Sequence, residues 1–519
     1  MTTSLSTRLD RLLATLPRAY PGPGGAVAVL REGEVLLAHA WGWANAERRI
    51  AFTRRTLFRM CSITKQFTCA LVLDAFPDPS ALDGDVRARL PLLGQAAPDA
   101  LHLCHNQSGL RDYWAVAMLH GAPAEAPFGD VEAARVIAGT RTLHFAPGTR
   151  FSYVNQNFRI LSDILQQRSG RSFAELLRTR IFDRIGMGSA LLAADTRAMP
   201  DGTEGYEGTQ AGGFRAAENR ILWTGDAGVG ASLDDMIAWE RHIDASRDDA
   251  AGLYGRLSAP VAFADGAPAA YGFGLGRGTE LGRAVIGHGG ALRGWRSHRM
   301  YVPSERISVV VMFNHLSDAH AAAVDTLAAV LDVEQSPVPD VPALAWPGSY
   351  VEPETGLAVR IDAGVDGTPR LRFGHSAERL ELQADGGIGS GRTRLRQSAE
   401  GLWMDRPQEN QSSLLRPCEG AAATDLAGRF RCEELEAELM VVDAGGALYG
   451  GFSGFLGQGR MELLDPVGAD VWVLPCPRAL DHTPPGDWTL SFRREAAGGV
   501  VSVEVGCWLA RGLLYARVG

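Results

Sequence analysis

The sequence predicts an α+β domain over residues 1–333 followed by two small antiparallel β-barrels, and three observations carry that prediction. Strand-like apolar runs stand at both ends of the first 333 residues, with helical patterns between them. A Pro-rich break follows. Beyond it the chain consists of short alternating strands and Gly turns that repeat once, at an offset of about 80 residues. At 519 residues the chain exceeds the size at which one core keeps growing, so two or three domains are expected.

The elements follow in order. Leu5 to Leu16 reads as a short amphipathic helix, and Pro21 to Gly25 as a turn. Ala26-Val-Ala-Val-Leu30, Arg31-Glu-Gly-Glu34 and Val35-Leu-Leu37 form a hairpin. From Ser62 to Phe76 the spacing of Phe67, Ala70, Leu71 and Leu73 predicts a helix that Pro77 stops. Helical patterns return at Phe158 to Gln167, Phe173 to Phe182 and Leu233 to Ala245. Strands are predicted at Arg299 to Val302 and Ile307 to Phe313, and a closing helix at Ala319 to Leu331. Residues 334–347, with Ser336-Pro-Val-Pro-Asp-Val-Pro342, read as a stiff linker. Gly348-Ser-Tyr350 and Asp362-Ala-Gly364 are then echoed by Gly428-Arg-Phe430 and Asp443-Ala-Gly445. This places one barrel at 348–417 and a second at 426–519.

Composition narrows the function. With 46% hydrophobic and 21% charged residues the chain is globular, and a net charge of −9 without any basic run excludes a general nucleic-acid binder. Seven cysteines, scattered from Cys61 to Cys507, form no disulfide framework and suit a reducing compartment. Neither C-x-x-C nor H-E-x-x-H occurs, so no metal site is expected. Residues 1–18 lack the apolar core of a signal peptide, and no 18-residue apolar span follows. A cytoplasmic protein with no membrane partner is the expectation.

One compositional feature is sharper. Lys and Arg together number 51, yet the only lysine is Lys65. Arginine cannot be deprotonated at working pH, whereas a buried lysine can become a base. Ser62 stands three residues earlier, a coincidence of about one in fifteen for so common a residue. At i and i+3 of one helix the two side chains share a face. Ser62 at the helix start also turns its N–H toward any oxyanion formed on an attacked carbonyl. A second segment, Pro147-Gly-Thr-Arg-Phe-Ser-Tyr153-Val-Asn155, projects a phenol able to relay a proton and an amide able to hold a substrate peptide. Singly, a core tyrosine and a turn-forming asparagine would account for them. The third segment is Gly287-His288-Gly289-Gly290-Ala291, whose glycines permit close backbone approach to a ligand.

In this order S-x-x-K, Y-x-N and H-x-G resemble the motifs of the serine β-lactamases and penicillin-binding proteins, and the resemblance extends to Asn106-Gln-Ser-Gly-Leu110 and the hairpin at Ala26. It implies a penicillin-recognising, β-lactamase-like catalytic domain. With both C-terminal β units the whole chain looks most like the bacterial D-stereospecific aminopeptidases. That family resemblance implies a cytosolic homodimer without a cofactor that releases D-residues from the N-termini of peptides, amides and esters. Carried over, it makes Ser62 the nucleophile, Lys65 its base and Tyr153 a proton shuttle. It also gives Asn155 a substrate-positioning role, His288 the third motif, and Ala291 N–H a share of the oxyanion hole.

One departure is informative. Many relatives in the superfamily carry a lysine and a hydroxyl residue where this chain has His288-Gly289. A neutral imidazole grips a carboxylate poorly, so action on free C-termini or on penicillin is disfavoured. The alternatives are an esterase, a β-lactamase or a D,D-peptidase of the same superfamily, or a non-catalytic ligand-binding receptor. The amine of an aminopeptidase substrate needs an acid that the three motifs do not supply. The resemblance points to the loop from Pro475 to Gly486, stiffened by four prolines, with Asp481 at its tip.

Overall fold

The strand Gly24–Arg31 lies inside an eight-stranded antiparallel sheet, between Ile307–Phe313 and Glu34–Asn45, with Val27 opposite both Val311 and His39. In this computed structural model, which describes residues 4–334, 346–364, 367–383, 387–480 and 485–518, the two ends of the first domain therefore pair with each other. Successive side chains alternate between faces. Val27 and Val29 join Val309 and Val311 beneath Leu9, Leu12 and Leu16 of helix Leu5–Ala19 and Ala322, Ala323 and Leu327 of helix Ala319–Leu331. Ala26, Ala28 and Leu30 turn the other way, toward the helices around Thr64–Ala75. Burial on both faces is why this strand reads as an unbroken apolar run.

Three local expectations shift. The strand already starts at Gly24, inside the expected turn. The helix after Ser62 opens with a tight 3-10 turn, Cys61–Ile63, and continues as Thr64–Ala75. Every residue from Thr64 to Leu73 is buried, so this is a central helix and its apolar period marks no solvent face. The expected helix over 173–182 divides into Phe173–Leu177 and a wider π turn, Arg178–Phe182, where the Thr179 hydroxyl takes the carbonyl of Glu175.

Beyond residue 346 the described chain forms two closed meanders. Hairpin Gly348–Glu352/Leu357–Ala363 recurs as Gly428–Cys432/Ala437–Asp443, which accounts for the sequence echo. In the first unit two five-stranded sheets share a core of Val359, Ile361, Leu371, Leu395 and Met404. The chain passes between them from Glu378–Arg379 to Glu381–Leu382 and from Gln411–Leu414 to Arg416–Pro417, closing the barrel at both margins. In the second, residues 462–466 close the ring by pairing with Leu448–Gly454 on one side and Val471–Leu474 on the other. The linker expectation falls mainly on 335–345, outside the described residues.

The second barrel does not merely hang from the first domain. Helix Tyr113–Leu119 is buried except at Met118, which is partly exposed. Tyr113, Trp114, Val116 and Ala117 face the core of the first domain, while Ala115 and Leu119 enter the barrel's own core beside Phe430 and Leu439. Asp112 N donates to Leu509 O at 2.9 Å, and Arg111 Nε to Arg511 O at 2.8 Å. The first barrel adds Asn410 Nδ2 to Thr149 O, 3.0 Å, and Glu409 O receives Phe151 N at 3.4 Å. Both barrels thus touch the segments flanking Asp112 and Tyr153.

Candidate active site

The segment leading into Ser62 is under backbone constraint. Cys61 has φ of 51°, a left-handed conformation unusual for a residue with a side chain. It turns the chain so that Ser62 begins the buried helix. Strand Arg283–Leu292 runs directly beside this turn, and a Cβ on Gly290 would collide with Met60 O and Ser297 Oγ. Ala291 follows on the same strand, so its N–H and that of Ser62 come from two elements held in contact.

Lys65 is fully buried. Its Nζ lies 3.1 Å from Ser62 Oγ, 2.9 Å from Asn155 Oδ1 and 2.7 Å from Asp226 O. Two of these neighbours, an amide oxygen and a backbone carbonyl, can only accept hydrogen bonds. A neutral amine has two N–H bonds and one lone pair. Once the amine has given up its third proton, both remaining hydrogens go to Asn155 and Asp226, and the lone pair is left for the Ser62 hydroxyl. Such a pair can abstract the hydroxyl proton as the oxygen attacks a carbonyl.

Asn155 is itself oriented. Its Nδ2 and backbone N donate to Asp112 Oδ2 at 2.9 and 2.6 Å, and the other Asp112 oxygen caps helix Tyr113–Leu119 through Trp114 N at 3.0 Å. Because the carboxylate accepts, it draws the NH2 end of the amide and leaves Oδ1 to Lys65. Burial lifts the Asp112 pKa to about 6 against these stabilising hydrogen bonds and the nearby Lys65 charge. The Asp226 side chain receives the Tyr113 hydroxyl, which ties the same helix to the loop that meets Lys65.

The Tyr153 ring stands 4.9 Å from Lys65 Nζ. Asn106 braces its loop by accepting Ser152 N (3.0 Å) at its carbonyl and Val154 N (3.3 Å) at its side chain. His288 faces Tyr153 with ring centroids 6.1 Å apart, and its Nε2 is 3.1 Å from the Tyr271 hydroxyl. His288 Nδ1 lies 2.5 Å from Gly289 O, an acceptor, so Nδ1 carries the hydrogen and Nε2 receives that of Tyr271. Burial, then the Lys65 and Arg299 charges, push the His288 pKa down to about 3, so the ring is neutral.

A cavity of about 410 Å3 joins these groups. Ser62, Tyr153, Asn155, His288 and Ala291 line it, while Gln408, Glu409, Trp508 and Leu509 wall it from the barrels. The pairing of strand Arg283–Leu292 with Leu275–Glu280 ends at Gly287 opposite Gly276. From His288 onward that edge of the strand has no such partner among the described residues, and it opens on the cavity. Six of the seven residues singled out from the sequence are thus brought together. Asp481 lies outside the described residues. The flanks of its loop are anchored: Leu480 is buried in the catalytic core, Arg293 Nη2 donates to Ala479 O at 2.8 Å, and Pro485 lines the cavity.

Sequence reasoning missed Asp112, Asp226, Tyr271 and the barrel residues. Asp112 before an apolar run is legible as a helix cap, but nothing local links it to Asn155. The run Tyr271-Gly-Phe-Gly274 did carry a signal. Gly274 has φ of 73°, and a Cβ there would collide with the Lys65–Gln66 peptide, so the glycine marks a close approach to the catalytic helix.

A serine and a buried amine at the start of a central helix, with an unpartnered strand edge beside them, define the penicillin-recognising class of serine hydrolases. Comparisons with known proteins agree. The β-lactamase family model matches residues 9–334, and that for D-aminopeptidase, domain B, residues 340–516. A D-aminopeptidase of Gluconobacter oxydans (strain 621H) is 60% identical over the whole of both chains. One of Brucella ovis (strain ATCC 25840 / 63/290 / NCTC 10512) is 47% identical over 98% of each. Among solved structures, the octameric penicillin-binding protein homologue from Pyrococcus abyssi shares the fold. Its TM-score is 0.54 at 20% identity, over 88% of this chain and 98% of that one. The chain belongs to the D-aminopeptidase family within the serine β-lactamase and penicillin-binding protein superfamily.

Proposed function

We propose that this protein releases N-terminal D-amino acids from peptides, amides and esters through an acyl-enzyme on Ser62. The observation that carries the reading is the Lys65 amine, buried and bonded to two acceptor-only oxygens, with Ser62 Oγ 3.1 Å away. Ser62 Oγ attacks the scissile carbonyl carbon and passes its proton to Lys65. The oxyanion is held between the N–H groups of Ser62 and Ala291. The C–N bond then breaks, and its nitrogen takes a proton by way of Tyr153. Water attacks the resulting ester, and the acid leaves with Ser62 regenerated. Asn155 positions Lys65 and the substrate peptide, and the neutral His288 contributes a hydrogen-bonding ring with no charge. Asp481 pairs with the substrate ammonium; the anchored flanks of its loop favour this role.

We also read the working form as a cytoplasmic homodimer. The seven cysteines are free thiols, as a reducing compartment favours, and no helix among the described residues is long and apolar enough to cross a membrane. The test of the reaction is a substrate panel: D-Ala and L-Ala p-nitroanilides, N-acetyl-D-Ala p-nitroanilide and a cephalosporin. Turnover of the free-amine D-anilide alone, with a covalent acyl adduct on Ser62 trapped by mass spectrometry, is the expected result. Equal turnover of the acetylated compound would remove the aminopeptidase reading, and an adduct elsewhere would remove Ser62.

A further inference from the structure

The cavity does not end at the catalytic strand. At Gly289 no side chain closes it, and a Cβ there would approach His298 Nδ1 at 3.4 Å and Ser297 O at 3.7 Å. The opening leads to the sheet face that carries Arg296 and His298. Their neighbours Ser297 and Arg299 turn to the opposite face, toward Met60 O at 3.4 Å and Glu240 at 2.7 Å. Over the Arg296 face the first barrel brings His375 and Arg392, and all four line the same cavity as Ser62.

The charges in this corner are largely of one sign. Arg296, Arg392 and Arg406 all oppose protonation of His375, whose pKa burial and these cations push down to about 4. Among the described residues several nearby acids are already engaged. Glu378 and Glu409 hold Arg406 at 3.2 and 2.7 Å. Glu280 pairs with His320 at 3.0 Å, and Asp318 caps helix Ala319–Leu331 through the N–H groups of His320 and Ala321. Among the described residues Arg392 forms no ion pair, although it lines a cavity that begins at the nucleophile.

We propose that Arg392, with Arg296 behind it, is a carboxylate subsite that receives the free C-terminus of a short peptide whose first residue is acylated on Ser62. The preferred substrates are then short peptides with a free carboxylate rather than their amides. The inference rests on the reaction proposed above. It also revises the expectation drawn from the His288-Gly289 strand: the grip that the strand lacks comes from the barrel, and the missing side chain at Gly289 leaves the way to it open. When the C–N bond breaks, the departing amine keeps its carboxylate on the guanidinium.

The experiment compares kcat/KM for D-Ala-Gly with that for D-Ala-Gly amide, in the wild-type full chain and in Arg392→Gln, Arg392→Lys and Arg296→Gln. The wild type should favour the acid by about tenfold, mainly through KM. That ratio should fall toward one in Arg392→Gln, fall less in Arg296→Gln and be partly retained in Arg392→Lys. The ratio is internal to each preparation, so it does not depend on how much of a variant folds. Equal use of acid and amide by the wild type, or an unchanged preference in Arg392→Gln, would overturn the subsite. D-Ala p-nitroanilide, which has no carboxylate, tests the reaction at Ser62 separately.

Discussion

The two walls of the cleft are built in opposite ways. The catalytic wall rests on a buried helix start, a capped buried helix and a sheet strand, with Ser62, Lys65, Asn155 and Asp112 bonded in sequence. The barrel wall is made of turns: Glu409 and Gln408 at one strand connection, Trp508 and Leu509 at another, His375 and Arg392 at two more. Chemistry depends on geometry that buried secondary structure fixes, while substrate choice depends on loop tips that can change without moving the nucleophile.

Substitutions on the catalytic wall should have the largest effects. Ser62→Ala should lower kcat by about 10^4-fold or more while thermal unfolding stays close to wild type, because the hydroxyl supplies chemistry and little packing. Next in size, Lys65→Arg should be nearly as inactive as Lys65→Ala, each about 10^3-fold down in kcat. Arginine keeps the charge and loses the lone pair. A conservative variant with most of its turnover would mean that Lys65 supplies charge alone.

Asp112→Asn should lower kcat by about 10- to 100-fold, since an amide at 112 no longer dictates which end of Asn155 faces Lys65. Its pH dependence sharpens the test. The Asp112 pKa is raised to about 6, so the wild type should lose kcat as pH falls through 6, and the variant should lack that limb. The same raised value means that ionising Asp112 costs stability above pH 6, so the variant should melt no lower than wild type there.

On the barrel wall the effect moves from rate to stability. Burial pushes the Glu409 carboxyl up, but Arg406 and Arg511 outweigh it and hold the pKa below its usual value. Glu409→Gln leaves those cations short of their partner and should cost about 3 kcal/mol of unfolding free energy, with kcat changed only a few-fold. A depressed carboxylate stabilises the fold above its unfolded pKa and loses that contribution as pH falls through the folded value. The stability gap between variant and wild type should therefore narrow as pH falls below the ordinary glutamate range. A large fall in kcat at full stability would erase the distinction between the walls.

Legibility in the sequence follows the same division. Ser62 and Lys65 could be read because they lie one turn apart on one helix and the amine is the only lysine. The barrels could be read because their first hairpins share a spacing. Asn155 and Asp112 are 43 residues apart and Glu409 and Trp508 are 99 apart, and no short-range pattern records such pairs. The helix Tyr113–Leu119 carries no legible helical period for a related reason. Wedged between two cores, it shows an apolar run rather than an amphipathic period.

The solitude and burial of Lys65 have a practical consequence for protein chemistry. An amine-directed acylating reagent finds one side-chain target in the whole chain, and the cleft beside Ser62 is the way to it. Crosslinkers that join lysines have no surface pair to join. A single mass increment on Lys65 should accompany loss of turnover molecule for molecule, so ordinary lysine chemistry becomes a way to count working sites.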